Sequence, residues 1–324
     1  MSVSLKYLEQ CAGETGFAVA TLEKVTRLGE VAAAIASHPL LGKSLALKGG
    51  TAFNFCTGGA PTRMSVDLDY NYVAHVDREQ MLVARPEVEN AVEEIARRLG
   101  YRVQHSKDEF AGRKFFATYR SVLGSDDRVE VDLNFLFRVP LDGVAGAKMW
   151  QPGELDQPHV NVVSLSELCI GKLLAMLDRA APRDAWDVAR LPKIAGDLLQ
   201  SDRFRVYFVA MSAILAHPVS TYSRNRMKQR LTAELIEQQL VPMLATGTPP
   251  NVETLIDEAW RVVMPLVELN PRELDYISAV EHGELRPEIL IPETPDLAKI
   301  IAMHPAIRWK IENVRKHRRR KNPM

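Results

Sequence analysis

A chain of 324 residues with 46% hydrophobic side chains holds enough apolar material for one large core or two closely packed domains. Cys11, Cys56 and Cys169 stand alone with no CxxC pair, which argues against a disulfide framework or a cysteine-rich zinc site and fits a reducing compartment. Basic and acidic side chains balance at 41 each, so a nucleic-acid partner has to be drawn by a local patch; no stretch reaches the roughly 18 apolar residues of a spanning helix, and the expected location is the cytoplasm.

Residues 15 to 38 mix apolar and polar groups at helical spacing, with Ala18, Leu22, Val25 and Leu28 as the buried stripe. After Pro39, SLALKGG reads as a short element ending at two glycines, and TAFNF restarts as helix. From Val66 to Val73 the sequence alternates, Val66, Leu68, Tyr70 and Tyr72 on one face and Asp67, Asp69 and Asn71 on the other, which predicts a half-exposed strand. A helix is expected over 86 to 99, opening at Pro86 and stopped by Gly100. Strands follow near 101 to 105, 113 to 120 and 129 to 137. The last repeats the acidic alternation, with Glu130, Asp132 and Asn134 between Val129, Val131, Leu133 and Phe135.

The Gly- and Pro-rich segment 140 to 158 reads as a joint between a mixed α/β half and a helical half. Helices are expected at 165 to 180, 184 to 198, 203 to 215, 224 to 239, 251 to 267, 271 to 280 and 296 to 302. From Arg308 the chain closes as RWKIENVRKHRRRKNPM, eight Lys/Arg against one Glu, a basic helix and tail. Such an end attracts nucleic acid or simply solubilises.

Two carboxylates one residue apart on a strand point the same way, roughly 6.6 Å apart at their Cα atoms. Asp67 and Asp69, with Asp132 from the second acidic strand, meet the need of Mg²⁺ for a few hard oxygen ligands beside water and phosphate. The competing reading is the wet face of two strands, although Asp is a poor strand former and its recurrence suggests a purpose.

Lys48, Gly49, Gly50 and Thr51 open the TAFNF helix, where glycines let a phosphate approach and free helix-start N–H groups receive its oxygens; GG is also an ordinary tight turn. Arg63 and Ser65 lie just before Asp67, as further phosphate contacts or as a solvated charge and a strand-start cap.

The order LKGGTAFNF, then R-x-S-x-D-L-D-Y, resembles the signature of the nucleotidyltransferase superfamily that includes DNA polymerase beta, and most closely its AbiEii/AbiGii toxins of bacterial abortive-infection and toxin–antitoxin pairs. The resemblance implies an α+β fold, a mixed-sheet nucleotidyltransferase core over 1–158 followed by a mainly helical domain over 159–324 that completes the nucleotide pocket. It implies that Gly49 and Gly50 hold nucleotide phosphates, that Asp67 and Asp69 bind Mg²⁺ (with Mn²⁺ as a substitute), and that Asp132 is the third acidic ligand, with Glu130 the alternative on the same face.

The run SLSELCIGKLLAMLDRAAPRDAWDVARL is similar to later motifs of that family. Leu165, Leu168, Cys169, Leu173, Met176 and Leu177 form an apolar stripe, and Lys172 falls within or beside it, where a lysine needs a partner or snorkels to water. The resemblance implies that Lys172 contacts the nucleotide and that Asp184 or Asp187 completes the pocket. Equally, Asp184 and Asp187 suit an N-cap and an acidic first turn after Pro182. Arg179 and Arg183 reach phosphate or RNA, or pair with nearby carboxylates.

The resemblance spans roughly residues 40 to 195. It implies transfer of a nucleoside monophosphate from an NTP to a hydroxyl, with a tRNA 3′ end as acceptor and a cognate antitoxin as partner. The alternatives are nucleotidylation of a small molecule or protein, and an inactive nucleotide- or RNA-binding protein. The histidines form no HExxH spacing, and Trp150, Trp186, Trp260 and Trp309 read as packing or helix-face residues.

Overall fold

The period-two stretches become neighbouring strands of a seven-stranded mixed sheet. The computed structural model describes residues 3–107, 111–247 and 249–321. Asn322, Pro323 and Met324 of the basic end lie outside the described residues.

The opening helical segment is two helices, α1 (Leu5–Thr15) and α2 (Val19–Ser37), because Gly16 takes a left-handed conformation (φ 75°) that ends the first. Ser4 caps α1. Leu22, Val25 and Leu28 are buried as expected, whereas Ala18 is the exposed N-cap residue of α2. A short α3 (Leu41–Ser44) leads into β1 (Leu45–Lys48), followed by α4 (Gly49–Phe55) and β2 (Asp67–Tyr72).

Helix α5 (Arg78–Arg98) begins a full two turns before the expected Pro86, which lies inside it. Asp77 decides the start: its carboxylate accepts from the Glu79 and Gln80 N–H groups at 3.0 Å each. Strands β3 (Arg102–His105), β4 (Gly112–Arg120) and β5 (Asp126–Asn134) follow, and then β6 (Val144–Lys148) and β7 (His159–Val163). The stretch 140 to 158 thus carries an edge strand whose partner, β7, is beside β1.

The strand order is β3-β4-β5-β2-β1-β7-β6. β2 runs parallel to β5 and antiparallel to β1, and β1 runs parallel to β7. On one face Leu47, Leu68, Tyr70, Phe115, Ala117, Val129, Val131 and Leu133 are all buried against helices that include α2 and α5. Burying these rows supplies the main stabilisation of the sheet. The opposite face carries the acidic residues.

The remainder is helical: α6 (Leu165–Arg179), α7 (Pro182–Leu199), α8 (Asp202–Ser212), α9 (Arg224–Arg230), α10 (Ala233–Gln239), α11 (Val252–Val267), α12 (Pro271–Glu281), α13 (Pro295–Met303) and α14 (Pro305–Lys321). The helix expected over 224 to 239 is broken at Leu231, which leaves the helical region, and Thr232 caps the next turn. The chain divides into two compact units, Met1–Leu168 with Val241–Thr248, and Cys169–Leu240 with Pro249–Met324. Among the described residues no helix is long and apolar enough to cross a membrane.

Candidate active site

Register builds the site. Lys48 is paired with Asp69, Asp69 with Asp132 and Asp132 with Lys114, so four strands place one row of charges across the sheet. The row above reads Asp67, Glu130, Phe116 and Gln104. Cross-strand partners share a face, so both rows lie on the side away from the apolar core. Asp67, Asp69, Glu130 and Asp132 are all half-buried, which leaves their carboxylates partly in water.

Gly49 is bound to this row by shape. Its φ of 72° is left-handed, and a Cβ there would collide with the Asp69 carboxylate. Any side chain at this position would displace that acid. Thr51 is wholly buried and its hydroxyl donates to the Asp67 carbonyl, tying the start of α4 to the start of β2. Ser65 donates to Asp67 Oδ1 at 3.2 Å. Arg63 is buried, and its Nη1 donates to the Met64 carbonyl at 2.8 Å.

Asp132 has a counter-ion that sequence reading missed: Lys114 Nζ lies 3.4 Å from its Oδ2. Among the described residues no group of three or more His, Cys, Asp or Glu side chains converges as a metal cluster. Ser65 donates to Asp67, Lys114 lies beside Asp132, and Gly49 packs against Asp69. The donor set is nonetheless all carboxylate oxygen, the chemistry a hard cation requires.

Glu167, at the start of α6, also escaped the sequence reading. It accepts from Asn71 Nδ2 and from the Leu141 N–H, both at 3.0 Å. Crowding by protein pushes its carboxyl up to about 7, against the lowering effects of the Leu141 N–H, Lys48 and Asn71. Asn71 was expected on the exposed face of its strand but is 1% exposed, with its amide donating to Glu167. Its Oδ1 is buried with no hydrogen-bond donor among the described residues. Glu167 stands in the same predicted helix as Lys172, five residues before it, but its burial depends on the tertiary fold.

The second unit holds the other expected residues. Lys172 is 7% exposed, and its Nζ lies 2.8 Å from Oδ2 of the fully buried Asp187. Asp184 accepts a two-pronged bond from Arg179, Nε to Oδ2 at 2.6 Å and Nη2 to Oδ1 at 2.9 Å. The N-cap of α7 is Ala181, so Asp184 lies in the first turn and does not cap it. A carboxylate there still favours the helix dipole.

The model of one family, described as nucleotidyl transferase AbiEii toxin, type IV toxin–antitoxin system, matches residues 31–262. The chain belongs to the AbiEii family. It is therefore a nucleotidyltransferase toxin, with the α+β core and helical C-terminal region described above. Among solved structures, MenT4, a nucleotidyltransferase toxin from Mycobacterium tuberculosis, is similar at 16% identity with a TM-score of 0.57, over 93% of this chain and 98% of that one. At that identity the likeness concerns the fold. No curated protein matches the sequence.

Proposed function

We propose that this AbiEii protein transfers a nucleoside monophosphate from an NTP to a hydroxyl acceptor, the 3′ end of a tRNA, with Mg²⁺ or Mn²⁺ at the acidic row. The observation that carries the reading is the pairing of Asp69 with Asp132 on adjacent strands, with Asp67 two residues away and Gly49 packed under Asp69. Asp67, Asp69 and Asp132 would hold the cation, which when bound neutralises phosphate charge and orients the attacking and leaving oxygens.

The chain's own groups bind and orient. Gly49, Gly50 and the Lys48 ammonium receive the β- and γ-phosphates, while Thr51 and Ser65 hold the first acidic strand in place through their bonds to Asp67. The acceptor oxygen forms a bond to the α-phosphorus and the bond to the bridging oxygen breaks. Pyrophosphate leaves with that electron pair, and the hydroxyl proton passes to solvent. The family resemblance also assigns Lys172, Asp184 and Asp187 to the nucleotide, whereas in this structure the Lys172 ammonium is paired with Asp187 at 2.8 Å and Asp184 with Arg179. A cognate antitoxin is the partner that membership of a toxin–antitoxin family supports.

Incubating the protein with labelled ATP, GTP, CTP and UTP in turn, with total RNA, tests the reading. Labelled RNA in the tRNA size range is expected from at least one NTP, with loss on chelation by EDTA. The D67A/D69A variant should lose labelling by at least about 10²-fold, the scale for a preorganised electrostatic group, while its circular dichroism stays as in the parent. Turnover that survives both substitutions overturns the site. Label on a small molecule or protein overturns the acceptor.

A further inference from the structure

The second row across the sheet does not stay acidic. Phe116 on β4 is paired with Glu130 and lies half-exposed on the same face as the carboxylates, although its chain neighbours Phe115 and Ala117 are buried in the core. The Arg128 guanidinium lies 4.8 Å from the Phe116 ring centroid and is held by Glu130 at 2.8 Å. Lys114, two residues along β4, is 51% exposed beside Asp132. One aromatic ring and two cations therefore border the acids on the side away from Gly49.

In-line displacement places the attacking and leaving oxygens on opposite sides of the transferred phosphorus. With pyrophosphate leaving toward Gly49 and Gly50 beside β1, the acceptor has to arrive across β5 and β4, because the order is β1, β2, β5, β4. Two strand spacings, about 10 Å, separate the Phe116 strand from the Asp67 strand. One or two nucleotides span that distance. A ring for stacking with cations for phosphate is the combination that single-stranded nucleic acid recognises, and neither a small polar hydroxyl compound nor a protein hydroxyl needs it.

We propose that Phe116, Arg128 and Lys114 form the acceptor subsite, in which a single-stranded nucleic-acid 3′ end stacks a base on Phe116 and places backbone phosphates against Arg128 and Lys114. The inference rests on the reading above, in that Gly49 and Gly50 fix the leaving side. It also assigns the basic character of this edge a role separate from the basic C-terminal helix.

Binding of a 5′-fluorescent 12-nucleotide RNA of mixed sequence to the full chain, read by anisotropy without NTP, tests it, with the same sequence as DNA in a parallel arm. Phe116→Ala is expected to weaken RNA binding about tenfold or more, as loss of one stacked base does, and Phe116→Trp to retain it. Arg128→Ala and Lys114→Ala should each flatten the salt dependence of binding. NTP affinity should stay as in the parent for the two Phe116 variants, with circular dichroism as the check on folding. Equal DNA binding supports a subsite that reads base and phosphate alone, and weaker DNA binding supports one that also reads the 2′-hydroxyl. Parental RNA affinity in a folded Phe116→Ala variant overturns the subsite even if nucleotidyl transfer is present. RNA binding that depends on Phe116 while no NTP is turned over keeps the subsite and rejects the proposed reaction.

Discussion

Two lysine–aspartate pairs in this protein share a chemistry and differ in their surroundings. Lys172 and Asp187 meet at 2.8 Å with side chains 8% and 0% exposed, whereas Lys114 and Asp132 stand 3.4 Å apart with 51% and 32% exposed. Burial makes each charge of the first pair dependent on its partner, since neither can be rehydrated without opening the helices around it. In the second pair water already solvates both ends, so an incoming phosphate or cation can exchange with either partner at little cost. A site that must bind and release charged ligands is better served by the second kind of pair, and a fixed wall by the first.

Breaking the buried pair should have the largest effect. Asp187→Ala removes the carboxylate 2.8 Å from the buried Lys172 ammonium, and the expected loss is about 3–5 kcal/mol, measured as a lower urea midpoint. Lys172→Met combined with Asp187→Leu should recover part of that loss, because two apolar side chains avoid the desolvation altogether. A single Asp187→Ala variant as stable as the parent would remove the contrast between the two pairs.

Both acidic strands were legible because alternation of period two survives any tertiary context: Val129, Val131 and Leu133 had to be buried and Glu130 and Asp132 turned away. Register was not legible. That Asp69 lies beside Asp132, and that Lys114 and Phe116 extend the same rows, depends on pairing between strands far apart in sequence. The start of α5 was misread although its signal was present, since Asp77 three residues before Gln80 is a capping pattern and Pro86 drew the boundary instead. β6 was hidden by its composition: VAGAK is poor in β-branched and aromatic residues, and only pairing with His159–Val163 makes it a strand. Lys172 was legible as a lysine in an apolar stripe that needed a partner, and Asp187 fifteen residues later is that partner.

Glu167 lies between the two extremes, half-buried and held by hydrogen bonds in place of a salt bridge. Its folded-state carboxyl stands near 7, above the ordinary 4.5, so the folded protein holds a proton that the unfolded chain has released between those values. Stability from this group is therefore complete below about pH 4.5 and is lost as pH rises through 7. The Glu167→Gln variant should lack that decline, diverging from the parent by on the order of 1–3 kcal/mol between pH 5 and 8 in denaturation series. Parallel stability curves for the two proteins would place Glu167 with the solvated acids of the row.

The exposed pair should show the smallest effect on folding. Lys114→Ala removes a contact that water already weakens, and the expected change in urea midpoint corresponds to less than about 1 kcal/mol. The comparison sharpens when salt is added: screening over about 8 Å at physiological ionic strength erases what little the Lys114–Asp132 attraction contributes, whereas the buried Lys172–Asp187 pair keeps most of its effect. In 0.5 M NaCl the parent and the Lys114→Ala variant should be indistinguishable in stability while Asp187→Ala still lags. A stability loss from Lys114→Ala as large as that of Asp187→Ala would mean that Lys114 is a structural strut of the sheet, fixed to Asp132 and unable to exchange it for a ligand.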